Sequence, residues 1–421
     1  MINKTTIKNI VYNKKTKQSV FLISTSIFNL IFSFYINMLL ARILGAEGYG
    51  NFSYILNIFT FSQIFFVFGF FHSGSRMLAI SEDKEIPKIY SAELVISVFL
   101  YLLMALSIVI FSTLSNTVVE NGLLINIIVI LPFGWVFLLI NFFEILLPGS
   151  NDIKLLAKSR VYPRLLLVIL VTFFYFTKND NFLNILISYF ASYAISFIII
   201  LRLLPMSYSN TKYYIKNIFK NNKIFGFKVY IGSVLSLGTS QLSGLFISHY
   251  ASNNIEVGFY NIASQISIPL TLLPSIVGTV FFRDFAKKDT IPGKLFIIVL
   301  FICLFIYILI YLFSPPLISI FYGSEFLSSI GILNSLALGA LFYGISDFFS
   351  KFLLAKGRGD DLLKISIIVG IVLIIANIFF IKRFFGVGAA YARILSGIVF
   401  FLFSAFFYLQ LVNKIGYEKN K

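Results

Sequence analysis

Few side chains in this 421-residue chain could carry chemistry, and most of those sit inside long apolar runs. Three are acids: Glu93, Glu144 and Asp347. Glu93 opens an apolar run and is expected at its polar edge. Glu144 lies about one helical turn from the end of another run. Asp347 lies deeper, with Lys351 four residues on, so a local ion pair is one expectation. For Asp347 and Glu144 the other is a protonatable or cation-binding group that couples to ion movement, because an acid within a membrane span costs a few kcal/mol unless paired or neutral. Arg393 is the cation set plainly within a run. It follows Gly386-Val-Gly-Ala-Ala390, small residues that let helices pack closely. It either snorkels to the interface or turns inward to meet an anion, and the small residues beside it favour the second. Arg42, Arg76 and Arg283 sit at run ends. They act as interfacial anchors or contact an anionic headgroup; a pyrophosphate suits paired arginines through forked, charge-assisted hydrogen bonds.

Neutral polar residues form a second pattern. Ser26, Asn29, Ser33 and Asn37 recur at spacings that put them on one helical face among Ile, Leu and Phe. Hydrocarbon leaves each such group unpaired, so the face is expected to turn toward protein or water. The pattern returns 207 residues later as Ser233, Ser236 and Ser240, with Gly244 in place of Asn37. At the same offset Asn57 and Thr60 fall on Ser264 and Ser267, and Arg76 falls on Arg283. With one residue less, Phe142-Phe143 falls on Phe348-Phe349. The chain reads as two copies of one unit, each with a polar first helix lining a shared path.

Composition places these residues in a membrane. The chain is 58% hydrophobic and 12% charged, with 51 Phe and a mean hydropathy of +0.92, whereas a soluble domain is about 25% charged. The single cysteine, Cys303, excludes an intrachain disulfide and a thiolate metal site. His72 and His249 lie at run ends without a ligand set. No phosphate-binding glycine loop or nucleophile elbow is present, so neither ATP hydrolysis nor a cofactor is expected. The formal charge of +17 does not point to nucleic acid, because the basic residues lie in short loops between apolar runs.

Twelve spans of roughly 20 residues fit the pattern: 19–40, 51–71, 91–112, 123–146, 163–177, 182–204, 229–250, 257–282, 294–313, 328–354, 362–381 and 387–412. All but five of the 34 basic residues fall on one side; the exceptions are Arg42, Lys178, Lys382, Arg383 and Arg393. Basic loops face the cytoplasm, so both termini are expected there. The predicted organisation is a six-helix lobe over 1–204, a basic linker over 205–228 and a second six-helix lobe over 229–421. In the linker, Lys212, Lys216 and Lys220 recur at one-turn spacing. That suits either an amphipathic helix on the inner leaflet or a solvated connector.

The two six-helix copies, the polar first and seventh helices, and the hairpin Ala41-Arg-Ile-Leu-Gly-Ala-Glu-Gly-Tyr-Gly-Asn-Phe-Ser-Tyr54 together resemble the Wzx-type O-antigen flippases of the multidrug/oligosaccharidyl-lipid/polysaccharide exporter superfamily. The resemblance covers nearly the whole chain. It implies an all-α, MATE-like alternating-access fold with no enzymatic activity, in the bacterial inner membrane. It implies a cargo of undecaprenyl-pyrophosphate-linked oligosaccharide, destined for O-antigen or a related surface polysaccharide. Implied partners are that cargo, membrane lipids and the polysaccharide polymerase machinery. Under it, Asn29, Ser33, Asn37, Ser236 and Ser240 line the glycan path, and Arg393, Arg42, Arg76 and Arg283 meet anionic parts of the cargo. Such flippases are similar in having a cationic central cavity; here Arg393 alone is expected within the membrane. Rival expectations are a drug or metabolite exporter of the same fold, using Asp347, and a membrane enzyme of glycan assembly, disfavoured by the short outer loops.

Overall fold

The computed structural model describes residues 14–234, 239–251 and 253–419; side chains at 14–23, 232, 233, 239, 240, 283 and 415–419 fall outside that description. Among the described residues the chain is helical, with no strand. In order the helices are α1 Lys14–Phe66, α2 Phe70–Ile80, α3 Ile86–Leu114, α4 Leu124–Phe133, α5 Trp135–Leu146, α6 Ile153–Thr177, α7 Phe182–Leu203, α8 Thr211–Asn221, α9 Phe227–Ser233, α10 Thr239–Tyr250, α11 Ile255–Val280, α12 Phe282–Lys287, α13 Gly293–Phe321, α14 Ser329–Ala355 and α15 Gly359–Lys419. Eight described helices are long and apolar enough to cross a membrane, and α4 with α5, bent by 52°, make a ninth. Two of these, α1 and α15, are each two helices joined at a backbone break, at Gly45 (φ 66°) and Phe385 (φ 46°). Each therefore covers two expected spans. The seventh expected span is described only in part, as α9 and α10. The arrangement is compatible with twelve. The protein is a multi-pass membrane protein.

The chain divides into two compact units. The described residues to Ile43 join Phe65–Ile231 in the first, and Leu44–Ile64 joins residues from 232 onward in the second.

In the first unit, α6 and α7 pack side by side and α8 lies along α3. The α8 helix buries Tyr214 and Ile218 and leaves Lys212, Lys216 and Lys220 exposed. Part of its apolar side packs on protein, where Tyr214 donates a hydrogen bond to Glu85 (3.2 Å) and lies beneath Lys88, while Tyr213 and Phe219 stay exposed. The α6 helix starts ten residues before the predicted span. Asp152 caps it, its carboxylate accepting a hydrogen bond from the Leu155 amide (3.2 Å), as N-cap acids do. Pro163, the kind of residue that often opens a helix, instead lies within it.

In the second unit the hairpin glycines have different tasks. Gly45 takes the left-handed conformation that ends the first half of α1. Gly50 permits close approach, because a Cβ there would lie 2.2 Å from the Asn254 carbonyl oxygen. Both backbone breaks are capped by a carboxylate. Glu325 accepts from the Ala46 amide (3.1 Å) and Glu256 from the Gly386 amide (3.2 Å), satisfying donors that a new helix leaves open. Pro274 cannot donate to the Leu270 carbonyl one turn back. Gly344 of α14 packs onto that carbonyl: a Cβ at Gly344 would lie 2.1 Å from it. The apolar core of this unit gathers Phe285, Cys303, Phe348, Phe352 and Val369.

Candidate functional site

Each unit carries its own polar cavity, open on one side. The first, about 250 Å³, is lined by Ser26, Asn29, Glu144, Arg160, Arg164 and Tyr193, with Phe143 and Phe197 on its apolar wall. Glu144 sits on a π-helical turn, Phe142–Leu146, at the end of α5; such turns insert a residue and re-aim the side chains around it. Arg160 grips Glu144 with both edges of a fork, Nε to Oε1 at 2.7 Å and Nη2 to Oε2 at 2.5 Å. One turn along α6, Arg164 donates from Nη1 to the Asn29 carbonyl (2.9 Å) and to the Ser33 hydroxyl. The Asn29 side-chain oxygen is buried and accepts no hydrogen bond. Asn37 is tied to its own helix, donating to the Ser33 carbonyl at 2.7 Å, and does not line this cavity. From the start of α6, Arg160 lies about 10 Å and Arg164 about 16 Å along the helix.

These two arginines correct the expectation that Arg393 alone is a cation within the membrane. The span predicted over 163–177 leaves Arg160 in the basic loop before it and Arg164 just inside its edge. The signal that could have found them is Asp152, a capping residue placed just before an amphipathic stretch. Glu93 is a second correction. Expected at an interface, it is fully buried, and among the described residues neither carboxylate oxygen has a hydrogen-bond partner. It packs on Gly74, where a Cβ would lie 2.2 Å from its Oε1.

The second cavity, about 230 Å³, is lined by Gln241, Tyr260, Asn261, Ser264, Thr271 and Arg393, with Ser267 beside them. No acid lines it. The Arg393 guanidinium lies over the Tyr343 ring, 3.7 Å from its centroid, a cation–π contact. Tyr343 is held in turn by a hydrogen bond to Ser396 (3.0 Å). Gly339 gives the arginine room, since a Cβ there would lie 3.0 Å from its side chain. Arg393 thus turns to a packed interior. Asp347 is not its partner: it lies 3.9 Å from Lys351, the local pair that the spacing suggested.

Of the other predicted residues, Arg42 and Arg76 line neither cavity. Arg42 is exposed. Arg76 is exposed and stacks on Phe225, 4.7 Å from the ring centroid. Arg283 lies in α12, Ser233 in α9 and Ser240 in α10, with their side chains outside the described residues; Ser236 lies wholly outside them.

The first 283 residues decide the family. From residue 16 to 283 the chain matches the family described as polysaccharide biosynthesis protein. The chain belongs to that family. A relative, an uncharacterized membrane protein of Methanocaldococcus jannaschii, is 25% identical over 309 residues. That match covers 69% of this chain and 61% of the relative's length. Among solved structures, the lipid II flippase MurJ in an inward closed conformation superposes with a TM-score of 0.74 at 18% identity, covering 94% of this chain and 89% of that one. A MATE family multidrug resistance transporter of the MOP superfamily, inward-facing, superposes with a TM-score of 0.69 at 15% identity, covering 91% and 95%. This polysaccharide biosynthesis family member therefore has the MATE-like fold, all-α and shared with transport proteins.

Proposed function

We propose that this protein is a flippase that carries undecaprenyl-pyrophosphate-linked oligosaccharide from the cytoplasmic to the periplasmic leaflet of a bacterial inner membrane. The observation that carries the proposal is the pairing of cavities in a membrane-spanning chain of this family. One is built on Asn29, Arg160 and Arg164 and the other on Arg393, each with hydroxyls and amides suited to sugar hydroxyl groups. A drug-binding site is mostly apolar with a few placed polar groups; these cavities invert that balance. In this scheme Arg393 contacts the anionic part of the cargo, Asn29 and Ser33 contact the glycan, and Glu144 or Asp347 couples the cycle to an ion. Arg42, Arg76 and Arg283 would meet the pyrophosphate at the membrane surface. Both termini would be cytoplasmic, and the product would serve O-antigen or a related surface polysaccharide through its polymerase machinery.

The test is deletion in the native host, followed by analysis of surface polysaccharide and of lipid-linked intermediates. The expected result is loss of surface glycan with accumulation of the lipid-linked repeat unit on the cytoplasmic side. Normal surface glycan with altered sensitivity to small toxic cations would replace this scheme with an exporter.

A further inference from the structure

The chain that follows α7 buries one residue in every four. Tyr214, Ile218, Asn222, Gly226 and Tyr230 are buried, across α8, a π-helical turn at Asn222–Gly226 and the start of α9. A plain α-helix gains about 40° on a four-residue repeat, so this line would drift by about 160° from Tyr214 to Tyr230. The π turn inserts a residue and takes back most of that drift. The buried line is fastened to the first unit. Asn222 donates from Nδ2 to the Phe68 carbonyl (2.9 Å), and the Tyr230 hydroxyl donates to the Phe65 carbonyl (2.7 Å), in addition to Tyr214 on Glu85. The segment is therefore a fixed strap with one constant outward face.

That face repeats a pair: a lysine beside a large apolar side chain. Lys212 adjoins Tyr213, Lys220 adjoins Phe219, Lys223 adjoins Ile224 and Lys228 adjoins Phe227, and all are exposed. No Asp or Glu occurs between Pro205 and Ile231. A connector facing water gains nothing from exposed Phe and Ile, whereas a surface that meets a membrane does. The level of the strap fits. Both α3 and α7 are long and apolar enough to cross a membrane. The strap leaves the end of α7, and the Ser207 amide donates to the Pro87 carbonyl at the start of α3 (3.1 Å), so it begins where two spans end. There headgroups meet acyl chains: rings and lysine stems enter the boundary while ammonium groups reach the phosphates. We propose that this strap, from Lys212 to Lys228, docks on the anionic phospholipid headgroups of its leaflet. The proposal goes beyond the transport reading and does not depend on it.

The experiment uses the full chain in nanodiscs of phosphatidylcholine mixed with phosphatidylglycerol. A fluorophore is attached at Ile224→Cys or, separately, at Phe227→Cys; Cys303 is buried, and wild type put through the same labelling gives its background. Quenching by brominated phosphatidylglycerol, by brominated phosphatidylcholine and by aqueous iodide is compared. Lipid quenching should exceed iodide quenching at both positions. Phosphatidylglycerol should be preferred by at least about fivefold, the worth of one lysine at an anionic surface. Combining Lys212→Gln, Lys220→Gln and Lys223→Gln should remove that preference while lipid quenching persists, and added salt should weaken it in wild-type lysine background. Iodide quenching without quenching by either lipid overturns the docking and returns the face to water or to a soluble acidic partner. Equal quenching by the two lipids overturns the headgroup preference, as does a preference that survives the triple variant. If a labelled variant does not fold, the triple variant, changed only at exposed positions, carries the test alone. Native mass spectrometry then counts the phosphatidylglycerol retained after detergent extraction: fewer molecules than on wild type are expected, and an unchanged count overturns the proposal.

Discussion

The two cavities are of similar volume and each contains arginine, but they balance charge differently. In the first unit, Arg160 and Glu144 neutralise one another through two hydrogen bonds, and Arg164 adds a cation held by neutral oxygens. In the second, Arg393 lies on an aromatic ring amid amides and hydroxyls, with no acid in the lining. A cation–π contact is worth roughly 0.5–2 kcal/mol, less than it costs to bury a charge. The forked pair repays its desolvation internally, whereas Arg393 remains short of an anion. The second cavity therefore has more to gain from a ligand's negative charge.

The largest expected effect follows from that deficit. Arg393→Ala should abolish surface glycan at normal protein levels, and Arg393→Lys should retain part of it, because lysine keeps the charge without the planar contact to Tyr343. Immunoblotting for the protein and gel analysis of the polysaccharide read both. Normal glycan with Arg393→Ala would reduce Arg393 to a packing residue and erase the contrast between the cavities.

Next in size is the forked pair. Glu144→Ala leaves Arg160 without its counter-charge. Breaking a fully buried pair costs about 3–5 kcal/mol. Here the partners are 24% and 36% exposed, so about 2 kcal/mol is expected after solvent screening. Adding Arg160→Met should recover much of that loss, as removal of both charges removes the problem. Thermal unfolding of purified protein measures each step. A double variant no better than Glu144→Ala would mean that the pair is not the unit that stabilises this cavity.

The contrast was partly legible in the sequence. The face of Ser26, Asn29 and Ser33 could be read because helical periodicity survives any tertiary arrangement, and two of these residues line the cavity while the third binds Arg164. The inward turn of Arg393 could be read from the small residues before it. The arginines of α6 were less legible: a span over 163–177 puts Arg160 outside and Arg164 at its edge, where both count as cytoplasmic positive charge, whereas the helix runs from the cap at Asp152. Glu93 was misplaced because burial of an unpartnered acid depends on Gly74 and Leu146, distant in sequence and close only in the fold. The glycine-rich hairpin signalled a turn, but only the structure separates the conformational role of Gly45 from the close approach at Gly50.

Glu93 offers a control for the comparison, since it is an acid of the first unit outside the cavity. Glutamine has its size without its charge, so Glu93→Gln should leave stability unchanged or raise it, unlike Glu144→Ala. Gly74→Ala drives a methyl against the Glu93 oxygen and Leu146 and should cost about 1–3 kcal/mol, the usual price of overpacking. If Glu93→Gln is as damaging as Glu144→Ala, buried acids in this unit matter for a reason other than the fork.

The smallest structural effect, and the cleanest functional test, belongs to Asp347. At 3.9 Å from Lys351, with side chains 35% and 28% exposed, this pair is loose. Pairs of that kind contribute about 0–1 kcal/mol. Asp347→Asn should therefore shift the melting temperature little. Glu144 cannot be tested so simply, because neutralising it disturbs the Arg160 fork and confounds coupling with stability. The two acids proposed for ion coupling thus differ in what their variants can reveal. If Asp347 couples transport to an ion, Asp347→Asn lowers flipping driven by an imposed ion gradient in proteoliposomes, while protein level and melting temperature hold. If gradient-driven flipping is unchanged, Asp347 is only the partner of Lys351. Coupling then falls to Glu144, whose release from Arg160 would have to accompany it. The test for that is Glu144→Gln with Arg160→Gln: the double variant removes both charges, so a stable protein that flips without responding to the gradient would place coupling at the fork.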